Sequence, residues 1–124
     1  MTYFDGSSKF SHIPGSIKQF LTELRPDINN ATTFALEEID GGQDPQNVTE
    51  AGVEANLDVQ YTVGIATGVP VEFLSVGGDI ETNNDFGTAL LDTTTFLHRQ
   101  AHPPSVMTTS YGGAEDSFDP GLVK

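Results

Sequence analysis

The sequence contains no cysteine, which rules out disulfides and thiolate metal sites. Basic residues are scarce as well: 5 Lys and Arg stand against 18 Asp and Glu, for a formal net charge of −13 at pH 7. Such a surface repels phosphate backbones and anionic bilayers, so nucleic acid and membrane are not expected partners. It also repels itself, and that repulsion relaxes as carboxylates protonate below about pH 5. No apolar run approaches the ~18 residues of a membrane span, and no secretory hydrophobic region follows Met1. The hydrophobic fraction of 36% is modest for a domain standing alone, which points to a partner or a missing remainder.

What is present fits one domain over residues 1–124, a length that supports a single core. Residues 1–15 mix Gly, Ser and aromatics without a clean period and read as an irregular opening, with Tyr3-Phe4 as a candidate strand start. The segment Ser16 to Leu24 predicts a helix with Ile17, Phe20, Leu21 and Leu24 on its inner face, closed by Arg25-Pro26. A strand is expected from Thr32 to Ile39, turned by Asp40-Gly41-Gly42. Thr49 is a suitable N-cap for a second helix, with Glu50 near its positive end. Val53, Leu57, Tyr61 and Ile65 recur there at helical spacing, and Gly68 followed by Pro70 ends the helix. The apolar run Val71 to Val76 suits a buried parallel strand. A third helix is expected from about Asp85 to Gln100 with Phe86, Leu90, Leu91, Thr94 and Leu97 inward, then a strand from Val106 to Tyr111. Strands alternating with helices imply right-handed crossovers, hence an α/β fold: a parallel sheet with helices on both faces, in three layers.

Glu54 and Asp58 stand four apart in the second helix and share a face, with Cβ atoms about 5–6 Å apart. Two carboxylates that close repel by ~3 kcal/mol at an effective dielectric near 20, an arrangement suited to general base chemistry in acid. A pair at this spacing is most often solvated, but here Val53, Leu57 and Tyr61 flank it on one side and Ala51, Gly52 and Ala55 on the other. His98 and His102 are also four apart; they lack a third ligand, Pro103 frays the helix, and solvent-exposed histidines are expected. His12 is isolated. No metal and no cofactor are expected.

Glu54-Ala55-Asn56-Leu57-Asp58-Val59-Gln60-Tyr61 resembles the catalytic helix of the sedolisin, or serine-carboxyl peptidase, family, which includes tripeptidyl peptidases. Phe20 to Ile28 resembles the helix and turn upstream of it in fungal members. Pro103-Pro104-Ser105-Val106 through Ser110-Tyr111-Gly112 resembles the strand that lines the substrate cleft. The resemblance implies a subtilisin-like sheet and assigns Glu54 as the base that takes the serine proton. It places Asp58 behind Glu54 as its orienting partner. It assigns Ser110, Tyr111 and Gly112 to backbone pairing with an extended peptide. It further suggests secretion or an acidic compartment, with which the sequons at Asn30 and Asn47 agree.

Departures from the family pattern set the functional expectation. The family nucleophile lies in a Gly-Thr-Ser motif that does not occur here, and Gly87-Thr88-Ala89 is a decoy ending in Ala. Ser75-Val76-Gly77-Gly78-Asp79 resembles the oxyanion turn only loosely, because it precedes the Ser-Tyr-Gly strand. Glu115, Asp116 and Asp119 lack calcium-loop alternation and read as a solvated acidic tail. The chain is therefore expected to carry the Glu/Asp half of a peptidase site and to be inactive alone, with a peptide substrate only if the missing part is supplied. The alternative is a stand-alone glycan- or protein-binding effector on the truncated fold. In either case the exposed sheet edge is expected to be covered, by a second copy in a homo-oligomer, by the opening Met1 to Gly15 folding back over it, or by the missing remainder.

Overall fold

Parallel pairing needs a crossover between successive strands, and the chain supplies three helices for that purpose. The computed structural model describes residues 2–5, 15–45, 53–78 and 82–123. The elements follow in the order β1 (Thr2–Asp5), α1 (Ser16–Leu24), β2 (Ala35–Ile39), α2 (Val53–Ile65), β3 (Glu72–Val76), α3 (Asn83–Arg99) and β4 (Met107–Thr109), before a 3-10 turn at Glu115–Ser117. The four strands form one sheet in the order β2-β3-β1-β4, each pair parallel. The α/β fold class expected from the sequence is the one observed.

The opening is less irregular than its composition suggested and folds back onto the sheet. Thr2–Asp5, inside the segment read as irregular, forms an interior strand that pairs with β3 through Phe4↔Leu74 and with β4 through Phe4↔Thr109. The strand hinted at by Tyr3-Phe4 thus sits mid-sheet and leaves β2 and β4 as the edges. The β2 edge carries exposed Glu37 and Glu38, charges that discourage pairing with another chain. Strand bounds are also tighter than the sequence implied, because the first residues of the Thr32 and Val106 segments lie outside the ladder.

Side chains alternate across β3, and each face has its own cluster. Phe73 packs with Val71, with Ile17 and Leu21 of α1, and with Val59 and Val63 of α2. Leu74 and Val76 pack against Ala89 of α3, with Phe86, Phe96 and Ile39 around them. α1 has the predicted bounds and buries Ile17 and Leu21, but Leu24 is 61% exposed.

The two longer helices settle on faces that periodicity did not single out. In α2 the core side is Ala55, Asn56, Val59, Val63 and Gly64, while Val53, Leu57, Tyr61 and Ile65 face outward. The proposed cap Thr49 and Glu50 lie outside the described residues. In α3 the buried positions are Ala89 and Thr93, whose Oγ1 donates to the Ala89 carbonyl at 2.8 Å. Leu91 and Thr94, expected inward, are exposed, while Phe86, Leu90 and Leu97 are half-buried. α3 opens at a capping box: Asp85 N–H donates to Thr82 Oγ1 at 3.3 Å, and Thr82 N–H donates to Asp85 Oδ2 at 2.9 Å.

Two glycines fix the turns after β2 and β3. The Ile39 carbonyl accepts from both Gly42 N–H and Gly77 N–H, at 2.8 and 2.9 Å. A Cβ on Gly42 would strike the Ser75 carbonyl, and one on Gly77 would strike the Asp40 carbonyl. Only a bare backbone allows this approach.

Candidate functional site

α2 follows β2, so its first turns rise from the carboxyl edge of the parallel sheet, the edge at which open α/β sheets bind ligands. Glu54 and Asp58 occupy those turns, both half-buried. Between them Asn56 points into the core at 8% exposure and accepts a hydrogen bond from Ser16 Oγ at 3.0 Å. That bond ties the start of α1 to the start of α2 and limits how α2 can rotate about its axis.

β4 ends at Thr109, also at the carboxyl edge, and the next residue reaches back to α2. Ser110 Oγ donates to Asp58 Oδ2 at 2.8 Å, across 52 residues of chain. The contact brings together two candidate residues from separate segments. The Glu54 carboxylate, one helical turn earlier, has no hydrogen bond or ion pair among the described residues. One carboxylate is thus held by a hydroxyl donor, while its half-buried neighbour has no such donor among the described residues. Tyr111 and Gly112 continue past the strand, both exposed, and Tyr111 N–H donates to Thr109 Oγ1 at 3.3 Å. Ser110 therefore contributes a side-chain contact that the sequence reading did not include. Nothing in a one-dimensional pattern signals such a bond.

The far end of α2 is braced by Arg25, just after α1. Its guanidinium donates to the Gly64 carbonyl, to Thr67 Oγ1 at 3.1 Å, and to Asp27 through a paired contact of 2.9 and 2.7 Å. The hydrogen bonds from Arg25 hold the Asp27 carboxyl below its ordinary value of 3.8, and Asp27 in turn raises Arg25. Between the two ends, Phe20 stacks on Tyr61 with ring centroids 5.2 Å apart. The α1–α2 pair is thus held at both ends and in the middle, and this positions the carboxylates.

Other candidates separate from this site. His98 lies in the last turn of α3 and His102 beyond its end, both exposed. Among the described residues no group of three His, Asp or Glu is arranged to hold a metal ion. Gly87 of the decoy triplet packs under Phe118 and Leu122. Glu115, Asp116 and Asp119 are exposed, as expected, while the segment that carries them is docked: Asp119 N–H donates to Asn84 Oδ1 at 2.7 Å, and the Phe118 and Phe86 rings meet at a tilt. Leu90, Leu91, Phe118, Leu122 and Val123 there line an apolar hollow of about 240 Å³. Asp79 and His12 fall outside the described residues. No described helix is long and apolar enough to cross a membrane.

The chain is similar to part of several fungal tripeptidyl-peptidases. The chain is 29% identical over 125 residues to the probable tripeptidyl-peptidase SED3 of Arthroderma benhamiae, a match covering 93% of this chain and 20% of that protein. It is 30% identical over 124 residues to the probable tripeptidyl-peptidase SED2 of the same organism, covering 87% and 20%. It is 31% identical over 119 residues to tripeptidyl-peptidase SED2 of Arthroderma otae, covering 85% and 19%. The chain thus spans about a fifth of the length of the curated relatives it matches. No family model and no solved structure matches it.

Proposed function

We propose that this chain is the Glu/Asp-bearing part of a sedolisin-type serine-carboxyl peptidase domain, built as three layers on a subtilisin-like parallel sheet. The observation that carries the reading is the hydrogen bond from Ser110 to Asp58 at the carboxyl edge of the sheet. It joins the helix and the strand end that independently resemble the family's catalytic helix and cleft strand. The similarity to part of several fungal tripeptidyl-peptidases supports the same reading.

In this proposal Glu54 is the general base. It takes the proton from a serine hydroxyl as that oxygen attacks the scissile carbonyl, then returns it to the departing amine. Asp58 lies one turn behind Glu54 and orients it, and Ser110 fixes Asp58 by donating to Oδ2. Ser110, Tyr111 and Gly112 border the peptide path. The serine and the oxyanion donor come from outside this sequence, and because such parts act as a unit the chain alone does not turn over peptides.

The test replaces the matching fifth of the Arthroderma benhamiae relative with this chain and assays release of aminomethylcoumarin from a tripeptidyl substrate between pH 3 and 8. The isolated chain is expected to be inactive throughout, and the chimera to be active at acid pH. A folded chimera without activity, or an isolated chain that cleaves the substrate, overturns the proposal.

A further inference from the structure

α2 is apolar on two sides, and the outer one is covered only at Tyr61, which meets Phe20 of α1. Its inner side feeds the core through Val59 and Val63, buried to 2% exposure. On its outer side Val53, Leu57, Tyr61 and Ile65 follow at intervals of four, at 88, 48, 49 and 76% exposure. Residues four apart on a helix form one continuous lane, so these are not scattered surface apolars. A contiguous exposed apolar strip marks an interface.

The lane's neighbours narrow the choice of occupant. Glu54 and Asp58 each follow a lane residue by one position, so the carboxylate pair forms a parallel lane along its flank. Whatever covers Val53 and Leu57 therefore also closes over one side of the pair. Arg25, just after α1, is already engaged by Asp27 and the end of α2. The rim of the lane is thus acidic on a chain of net charge −13. A second copy would bring a like-charged surface against it, which disfavours association. A segment with an apolar ridge and a neutral or basic rim fits instead. The relatives are about five times longer than their match to this chain, so they contain ample polypeptide outside the match to supply that segment.

We propose that the outer lane of α2 is the docking surface for the remainder of a peptidase domain, which seals one flank of Glu54 and Asp58 as it docks. This rests on the peptidase reading above. A ridge over the lane would exclude water beside the base, strengthening its electrostatic interactions.

The absence of cysteine permits a direct test. Leu57→Cys is introduced into the isolated chain and into the chimera, and its N-ethylmaleimide labelling rate is followed by peptide mass mapping. The expected result is fast labelling in the isolated chain at every concentration and at least tenfold slower labelling in the chimera. Equal rates overturn the inference. So does labelling of the isolated chain that slows as concentration rises, which would identify a second copy as the occupant. If Leu57→Cys prevents folding of the chimera, Val53→Cys at the more exposed end makes the same comparison. The peptidase reading is judged separately by Glu54-dependent turnover of the chimera without the cysteine. An active chimera with an openly labelled lane would sink the docking inference alone.

Discussion

The hydroxyl of Ser110 donates to Oδ2 of Asp58 at 2.8 Å, linking the end of β4 to the second turn of α2. This bond joins a strand end to a helix face at the edge of a parallel sheet. It also fixes the orientation of the carboxylate behind Glu54. Removing it leaves the fold with its two hydrophobic clusters intact, so its effect should be seen in chemistry before stability.

Ser110→Ala is accordingly expected to lower stability by under about 1 kcal/mol, since the bond is exposed and a typical net contribution is of that size. In the chimera the same change should lower kcat by about tenfold with little change in KM, and Ser110→Thr should recover most of it. Urea unfolding and steady-state kinetics check the two halves. A loss confined to KM would assign Ser110 to peptide binding instead.

Gly42 and Gly77 share the Ile39 carbonyl, and a side chain at either meets backbone that cannot move aside. Gly77→Ala is expected to cost about 2 kcal/mol or more, within the range of severe packing changes. Thermal unfolding measures this. A melting temperature unchanged from the parent would show that the turn after β3 is looser than described.

Thr82→Ala removes the hydroxyl that caps α3 and accepts from Asp85 N–H. A loss of about 1 kcal/mol is expected, as for other N-caps, with Thr82→Ser close to the parent. Urea midpoints for the two variants test the prediction. Equal losses for Ala and Ser would point to the threonine methyl group instead of the cap.

The Asp27 carboxyl is depressed by hydrogen bonds from Arg25. A group with a lowered folded pKa stabilises above its unfolded value and loses that contribution as pH falls through the folded value. The brace between α1 and α2 is therefore expected to be fully effective above about pH 5 and to weaken progressively below about pH 4. Asp27→Asn should lower the urea midpoint at pH 6, and by progressively less as the pH falls below about 4. A difference that persists undiminished at pH 2 would contradict the assignment.

Local signals were legible in the sequence where a single face decides the outcome. α1 begins and ends where its apolar face and Arg25-Pro26 place it, and the apolar run of β3 reads directly as a buried strand. α2 shows where such reading fails. Val53, Leu57, Tyr61, Ile65 and the opposing Val59, Val63 are both apolar sets at helical spacing, so periodicity cannot say which faces inward. The core takes the set whose small neighbours Ala55 and Gly64 permit close packing. In α3 the choice falls on Ala89 and Thr93 because the helix lies close over Leu74 and Val76, leaving larger Leu91 outside. β1 was obscured for another reason. Four residues gain their strand identity only from neighbours about 70 and 105 positions away (Thr2↔Glu72 and Thr2↔Met107). The carboxylate pair itself was visible as a spacing on one helix, whereas the Ser110 contact depends on tertiary closure.

The role of Glu54 is tested most directly by Glu54→Gln in the chimera, measured at its acid optimum beside Glu115→Gln as an exposed control. The account predicts that Glu54→Gln lowers kcat by a factor of about 10³ or more, since the base and its partners act together. Glu115→Gln should leave kcat unchanged. A Glu54→Gln chimera that retains activity within about threefold of the parent would show that the helix carries no catalytic base.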